Sequence, residues 1–290
     1  MAPAYRQNSG SLLLDNLVDL DGLGRYKRQL SLEGFGPRGQ ERLKTSTALV
    51  AGVGGLGGTV ALYLAAAGIG RLILVHQGTL DLPDLNRQIL MSPEWLGASR
   101  VRCAQESLKR FNPEVETLIF DSEVRDDNVI DLVAGADVVM SCRYNFEERE
   151  ILNRACVELA RPMVEAAMHG MEAYLTTIVP GQTPCLHCLY PEFPLWDPMA
   201  FPVLGAVSGA LGCLAATEAI KVLIGMGSPL AGWLLHFDLG DMHFRKLHVQ
   251  RRPDCPVCAN RCRSGCAIPN SAAQERPWFS QNAVTYSQTR

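Results

Sequence analysis

Residues 47–75 read TALVAGVGGLGGTVALYLAAAGIGRLILV, an apolar run long enough to cross a bilayer. Its glycines fall in two clusters and Arg71 interrupts its end, which divides the run into shorter pieces. Residues 49–53 form a short apolar strand, the glycines a turn, 59–67 a helical stretch and 72–75 a second strand. Helical periodicity returns at 101–111 and stops at Asn112-Pro113, as the restriction on a residue preceding proline requires. A strand at 116–120, a helix at 126–133 and an apolar strand at 137–140 follow. Further on, 147–159 reads as helix, 162–167 and 173–179 as strands, and 203–224 as a long buried helix. Residues 233–247 alternate like a pair of strands. This succession predicts an α/β fold: a Rossmann-like, mostly parallel sheet with helices on both faces, and no internal repeat is visible.

The same pattern sets the organisation. Residues 1–24 read as a flexible extension with a helix starting near its end, 25–260 as the folded domain, and 261–290 as a polar flexible tail. A chain of 290 residues with 47% hydrophobic and 20% charged residues can bury a full core. The net charge of −3 offers nothing to a nucleic acid or an anionic membrane. The opening MAPAYRQNSG is polar with no apolar segment behind it, so the expected location is the cytoplasm. There the ten cysteines read as thiols or metal ligands rather than disulfides.

Two constellations carry chemistry. Gly52, Gly54 and Gly57, with Gly55 between them, give GxGxxG spacing between a strand and a helix. That geometry permits a tight turn, close approach of backbone N–H groups to phosphate, and tight helix–strand packing. The alternative is a glycine turn that only eases packing. A dinucleotide site would add a carboxylate for the ribose hydroxyls at the end of the second strand, but His76 stands there. A neutral imidazole accepts one hydrogen bond where a carboxylate takes both hydroxyls, which argues against a dehydrogenase.

The second constellation is a pair of CxxC knuckles, Cys185 with Cys188 and Cys255 with Cys258. Four sulfurs suit tetrahedral, structural zinc, stapling the chain's end to its middle. Two unrelated thiol pairs, one of them redox-active, are the alternative. His187 lies inside the first knuckle, but four sulfurs suffice without it. Cys262 and Cys266 read as free thiols or, less simply, as part of a second metal site. Cys213 reads as core, and Cys142 as a small buried residue at a strand end rather than a nucleophile.

The ordered set RYKRQ, GVGGLGG, DLNRQIL, RFNPEVE, PCLHC, ATEAIKVL and CPVC resembles the HesA/MoeB/ThiF family, bacterial relatives of ubiquitin-activating enzymes. The likeness spans about residues 25 to 260 and is nearest to the HesA branch, through MVEAAMHGMEAYLTTIVPGQTPCLHC and FPVLGAVSGALGCLAATEAIK. It implies a homodimer that binds Mg-ATP and adenylates the C-terminal carboxylate of a small ubiquitin-like sulfur carrier. HesA genes accompany nitrogen-fixation genes, so it also implies a link to nitrogenase and its molybdenum cofactor. By position, the glycine loop should face the phosphates, with Arg87 on them and Gln88 beside it. Arg28, in RYKRQ, should reach across the dimer to the partner's ATP.

Three positions depart from what the resemblance implies. The ribose-binding aspartate falls at His76, the phosphate-binding lysine at Arg100, and the magnesium-binding aspartate at Tyr144. Arginine preserves the lysine's charge, but a neutral phenol cannot replace a hard carboxylate ligand. Magnesium therefore loses its expected ligand. Residues 189–202 also lack the cysteine with which thioester- or persulfide-forming relatives work. The resulting expectation is an adenylating, or formerly adenylating, protein, with a catalytically reduced nucleotide-binding adaptor in nitrogenase metallocofactor assembly as the alternative.

Overall fold

A computed structural model describes residues 23–193 and 202–259. The expected extension up to residue 22, the tail from 260 with Cys262 and Cys266, and the middle of the 189–202 loop lie outside them. The elements are α1 (Lys27–Leu30), α2 (Gly36–Lys44), β1 (Thr47–Ala51), α3 (Gly55–Ala67), β2 (Arg71–Val75), α4 (Arg100–Phe111), β3 (Glu116–Phe120) and α5 (Val129–Ala134). They continue with β4 (Val138–Ser141), α6 (Phe146–Glu158), β5 (Met163–His169), β6 (Glu172–Ile178), α7 (Leu186–Leu189), α8 (Gly205–Ile224), β7 (Trp233–Asp238) and β8 (His243–His248).

One eight-stranded sheet runs in the order β3-β2-β1-β4-β5-β6-β7-β8. The pairings among β3, β2, β1, β4 and β5 are parallel, and those from β5 to β8 are antiparallel. The expected mostly parallel sheet is thus a doubly wound half with an antiparallel extension. β1 and β4 are buried on both faces, which is why they read as unbroken apolar runs. β3, at the edge, alternates between exposed and partly buried positions.

Alternate sheet residues face two separate cores. Ala48, Val50, Leu72, Leu74, Val138 and Met140 pack with α2, α3, α4 and α8. Leu49, Ala51, Ile73, Val75 and Val139 pack with α5, α6, α7 and the four knuckle cysteines. The apolar run 47–75 is therefore strand, helix and strand. α8 is long and apolar enough to cross a membrane by length and composition, yet Val207, Leu211, Ala215, Ala219 and Leu223 are buried.

Two details differ from the pattern-based reading. α3 starts at Gly55, directly on the glycine loop, four residues ahead of the periodic stretch expected from 59. α2 was not anticipated: its sequence GPRGQERLK buries only Gly39, Gln40 and Leu43, too few apolar positions to show a period.

Candidate functional site

β1 sends its successors to opposite sides, towards β2 on one hand and β4 on the other, so a crevice opens at the C-terminal ends of β1 and β4. Ligands of doubly wound sheets bind at such a switch point. The turn here depends on glycine at two places. Gly52 has φ +97°, and a Cβ on it would lie 2.7 Å from the Cys142 carbonyl oxygen. A Cβ on Gly57 would lie 1.7 Å from the Gly52 carbonyl oxygen, so α3 can start this close to β1 only without a side chain.

Gly54, Gly55, His76, Arg87, Gln88, Arg100 and Tyr144 all line one cavity of about 1080 Å³. Of the residues expected at the nucleotide, these seven are brought together at the cavity, whereas Gly52, Gly57 and Arg28 are not among those lining it. Arg28 is exposed on α1 and is not among the residues lining its own chain's crevice.

A residue that the sequence reading passed over organises the arginines. Asp84 is 5% exposed and ends a capping box with Asp81. Its Oδ1 accepts from Arg87 Nη2 at 3.1 Å, and its Oδ2 pairs with Arg100 Nε at 3.1 Å. Arg87 also donates to the Pro83 carbonyl and lies against Gly55, where an added Cβ would meet its Cγ at 3.0 Å. Arg100 donates to the Thr79 carbonyl. Arg87 is thus held beside the N-terminus of α3, where backbone N–H groups and the helix dipole favour an anion, while Arg100 lies at Gly78 and His76. Gln88 also lines the crevice, with a buried Oε1 that has no hydrogen-bond partner among the described residues.

His76 is buried at the end of β2 between two guanidinium groups. Its Nδ1 lies 3.2 Å from the Val53 N–H and 3.1 Å from Arg143 Nη1, and its Nε2 lies 3.2 Å from Arg100 Nη1. Burial first, then Arg143 and Arg100, lower its pKa to about 3, so the ring is neutral at pH 7. Arg143 also donates to Glu148, which anchors the Val124 N–H, and Arg143 lies 5.5 Å from the Tyr144 ring. Tyr144 is 47% exposed and faces the crevice with a phenol. Asp84, the carboxylate at the glycine loop, is already engaged by two arginines. Residues in these places do not fit the magnesium ion that the resemblance implies.

Cys142 lines the crevice and is half-buried rather than buried as expected, and desolvation with nearby Glu165 pushes its thiol up, away from the thiolate a nucleophile needs. Beyond it the crevice continues past Arg149, Tyr174 and Tyr190 to His169, Glu172 and His236. Arg149 pairs with fully buried Glu165, contacts the Tyr174 hydroxyl and lies 4.2 Å from the Phe146 ring. Nothing in the sequence marks this group, because its members come from α6, β5 and β6.

The four knuckle sulfurs meet on the opposite core, all within 4.8 Å of one another. Cys185 and Cys255 are 3.6 Å apart, Cys188 and Cys258 3.5 Å, and Cys185 and Cys188 4.0 Å. Zinc–sulfur bonds of about 2.3 Å in a tetrahedron set sulfur–sulfur edges of about 3.8 Å, so the cluster could hold zinc as it stands. Asn153 of α6 accepts from the Leu186 N–H, and Arg251 donates to the Thr183 carbonyl, so both knuckles are tied to the core. His187 faces Glu150 at 3.5 Å rather than joining the sulfurs.

A model of the ThiF family matches residues 26–257. The heterocyst protein HesA of Trichormus variabilis is 56% identical over 238 residues, covering 82% of this chain and 89% of that protein. The SAMP-activating enzyme E1 of Haloferax volcanii is 38% identical over 247 residues, covering 83% of this chain and 90% of that one. Among solved structures, Escherichia coli MccB with ATP superposes with a TM-score of 0.67 at 24% identity, covering 76% of this chain and 69% of MccB. That last likeness is one of fold.

Proposed function

Because the chain belongs to the ThiF family, we propose that it binds ATP in the crevice and receives the C-terminal tail of a small ubiquitin-like sulfur carrier there, with adenylation much reduced. The observation that carries this reading is the pair of arginines, Arg87 and Arg100, pinned by one carboxylate beside the glycine loop. Guanidinium forks and loop N–H groups hold phosphate oxygens without a metal. The rest of the crevice, running over β5 and β6 to His169 and His236, leaves room for an extended peptide beside the nucleotide. HesA of Trichormus variabilis and the Haloferax activating enzyme support the reading by their likeness.

The site departs from an ordinary adenylating one in charge. Relative to what the resemblance implies, carboxylates give way to neutral groups at His76 and Tyr144, and Arg143 adds a cation beside them. Losing two negative charges together with a divalent ion leaves the loaded site near its former net charge. Nucleotide should therefore bind with little dependence on magnesium. Titration of ATP in excess magnesium and in excess chelator should give dissociation constants within about threefold of each other. A hundredfold loss in chelator would show that another group holds the ion.

The missing carboxylates at His76 and Tyr144 favour a second reading, a nucleotide-binding adaptor that serves nitrogenase metallocofactor assembly in the cytoplasm. Zinc at Cys185, Cys188, Cys255 and Cys258 is structural in either case.

The working unit in this proposal is a symmetric homodimer, with Arg28 of each subunit reaching the partner's phosphates. The motive is the exposed place of Arg28 on α1, outside its own crevice. In a mixed dimer, Arg28→Ala in one subunit should weaken nucleotide binding at the other subunit's site by about tenfold, the loss of one charge-assisted contact. A chain that sediments as a monomer at micromolar concentration would dispose of the idea.

A further inference from the structure

We infer that the ribose edge of the crevice is built for a phosphate: the nucleotide it prefers carries a second phosphate on the 2′ or 3′ position, held by Arg100 and the Nε2–H of His76. The inference rests on the reading above that a nucleotide occupies the crevice.

The argument starts from hydrogen-bond arithmetic around one ring. Three donors point at His76: the Val53 N–H and Arg143 Nη1 at Nδ1, and Arg100 Nη1 at Nε2. A neutral imidazole has one accepting nitrogen. If Nε2 were that nitrogen, the Nδ1–H would face two donors, so the proton belongs on Nε2. Arg100 Nη1 and the protonated Nε2, 3.2 Å apart, then face each other donor to donor among the described residues. An anionic oxygen placed against both resolves the conflict, because each can donate to it. His76 is 6% exposed, so the two donors meet in a partly dehydrated place where an unmet donor is expensive.

Charge points the same way. Asp84 is shared between Arg87 and Arg100, one carboxylate for two guanidiniums, while Arg143 pairs with Glu148. Two guanidiniums therefore flank a neutral ring. Ribose hydroxyls need an acceptor for their protons, and guanidinium groups have none. A phosphate dianion is all acceptor and matches the guanidinium fork. In dinucleotide-binding doubly wound sheets, the acidic residue at the end of the second strand selects a free ribose, and an arginine nearby accommodates a ribose phosphate. Here that strand ends in His76 with an arginine on either side. Access is open: Gly78 at φ +105° gives Arg100 a place to lie, with its guanidinium carbon 3.9 Å from where a Cβ would be, and Gln77 and Gly78 line the crevice.

Calorimetry on the full-length chain, in chelator, tests this with 5′-AMP, adenosine 2′,5′-bisphosphate, adenosine 3′,5′-bisphosphate and inorganic phosphate. One of the two bisphosphates should bind at least about tenfold more tightly than 5′-AMP, about the increment expected of one charge-assisted fork. His76→Asp should reverse the order, and Arg100→Gln, which also takes one guanidinium from the nucleotide grip and so weakens 5′-AMP and both bisphosphates, should abolish the difference between them. Equal affinity of 5′-AMP and both bisphosphates overturns the inference and leaves the nucleotide reading standing, provided ATP binds. Inorganic phosphate binding as tightly as the better bisphosphate overturns the ribose assignment in favour of a free anion. If neither ATP nor any of these nucleotides binds, the nucleotide reading itself falls, and the inference with it.

Discussion

Cys258→Ser is expected to lose the metal and with it the fold. About one zinc per chain should accompany the purified wild type, and the variant should carry a small fraction of that by elemental analysis. Structural zinc in small sites supplies on the order of 10 kcal/mol of apparent binding energy, comparable to the whole stability of an ordinary domain. Here the cluster closes the interval between Cys188 and Cys258, 70 residues apart, and its sulfurs are part of the core shared by α5, α6 and α7. A serine oxygen in place of one thiolate leaves an incomplete tetrahedron in that core. The variant should therefore aggregate or be cut rapidly by protease, and chelator should do the same to the wild type. Metal-free chain melting cooperatively at an unchanged temperature would remove zinc from the account.

The largest chemical effect should come from Tyr144. With a phenol where the resemblance implies a magnesium ligand, wild-type ATP–pyrophosphate exchange should be very slow. A loss of about 4 kcal/mol in transition-state stabilisation corresponds to about a thousandfold in rate. Tyr144→Asp, combined with His76→Asp, restores the two carboxylates, and exchange should rise by one to three orders of magnitude and become magnesium-dependent, in keeping with that estimate. Glu148 already engages Arg143, so the new carboxylate at 144 is not consumed by its neighbour. Exchange is to be measured with candidate sulfur-carrier proteins as acceptors. Brisk wild-type exchange would mean that Tyr144 is tolerated and that another residue holds the ion.

How much of this was legible in the chain depended on whether a feature is local. The β1–loop–α3 unit was visible because glycine spacing and an apolar run sit side by side in sequence, although the glycines hid the first turn of α3. The knuckles were visible because paired thiols mean much the same wherever they fold. The arginines were found through motif likeness, but not Asp84, whose role exists only once Arg100, sixteen residues later, folds back onto it. His76 was read as a poor ribose ligand from its chemistry alone. That both its nitrogens face guanidiniums needed α4 and the end of β4 to be in place. The Arg149–Glu165–Tyr174 group joins three elements and left no trace in the linear pattern.

Asp84 has a consequence for how binding energies combine. A ligand phosphate that draws Arg87 away returns the whole of that carboxylate to Arg100, and one that draws Arg100 away returns it to Arg87. The two guanidiniums thus compete for a single counter-charge, and occupancy at one end of the nucleotide changes the electrostatic setting of the other. Their contributions will not sum: in a double-mutant cycle Arg87 and Arg100 should show a coupling energy, and Asp84→Asn should remove most of it.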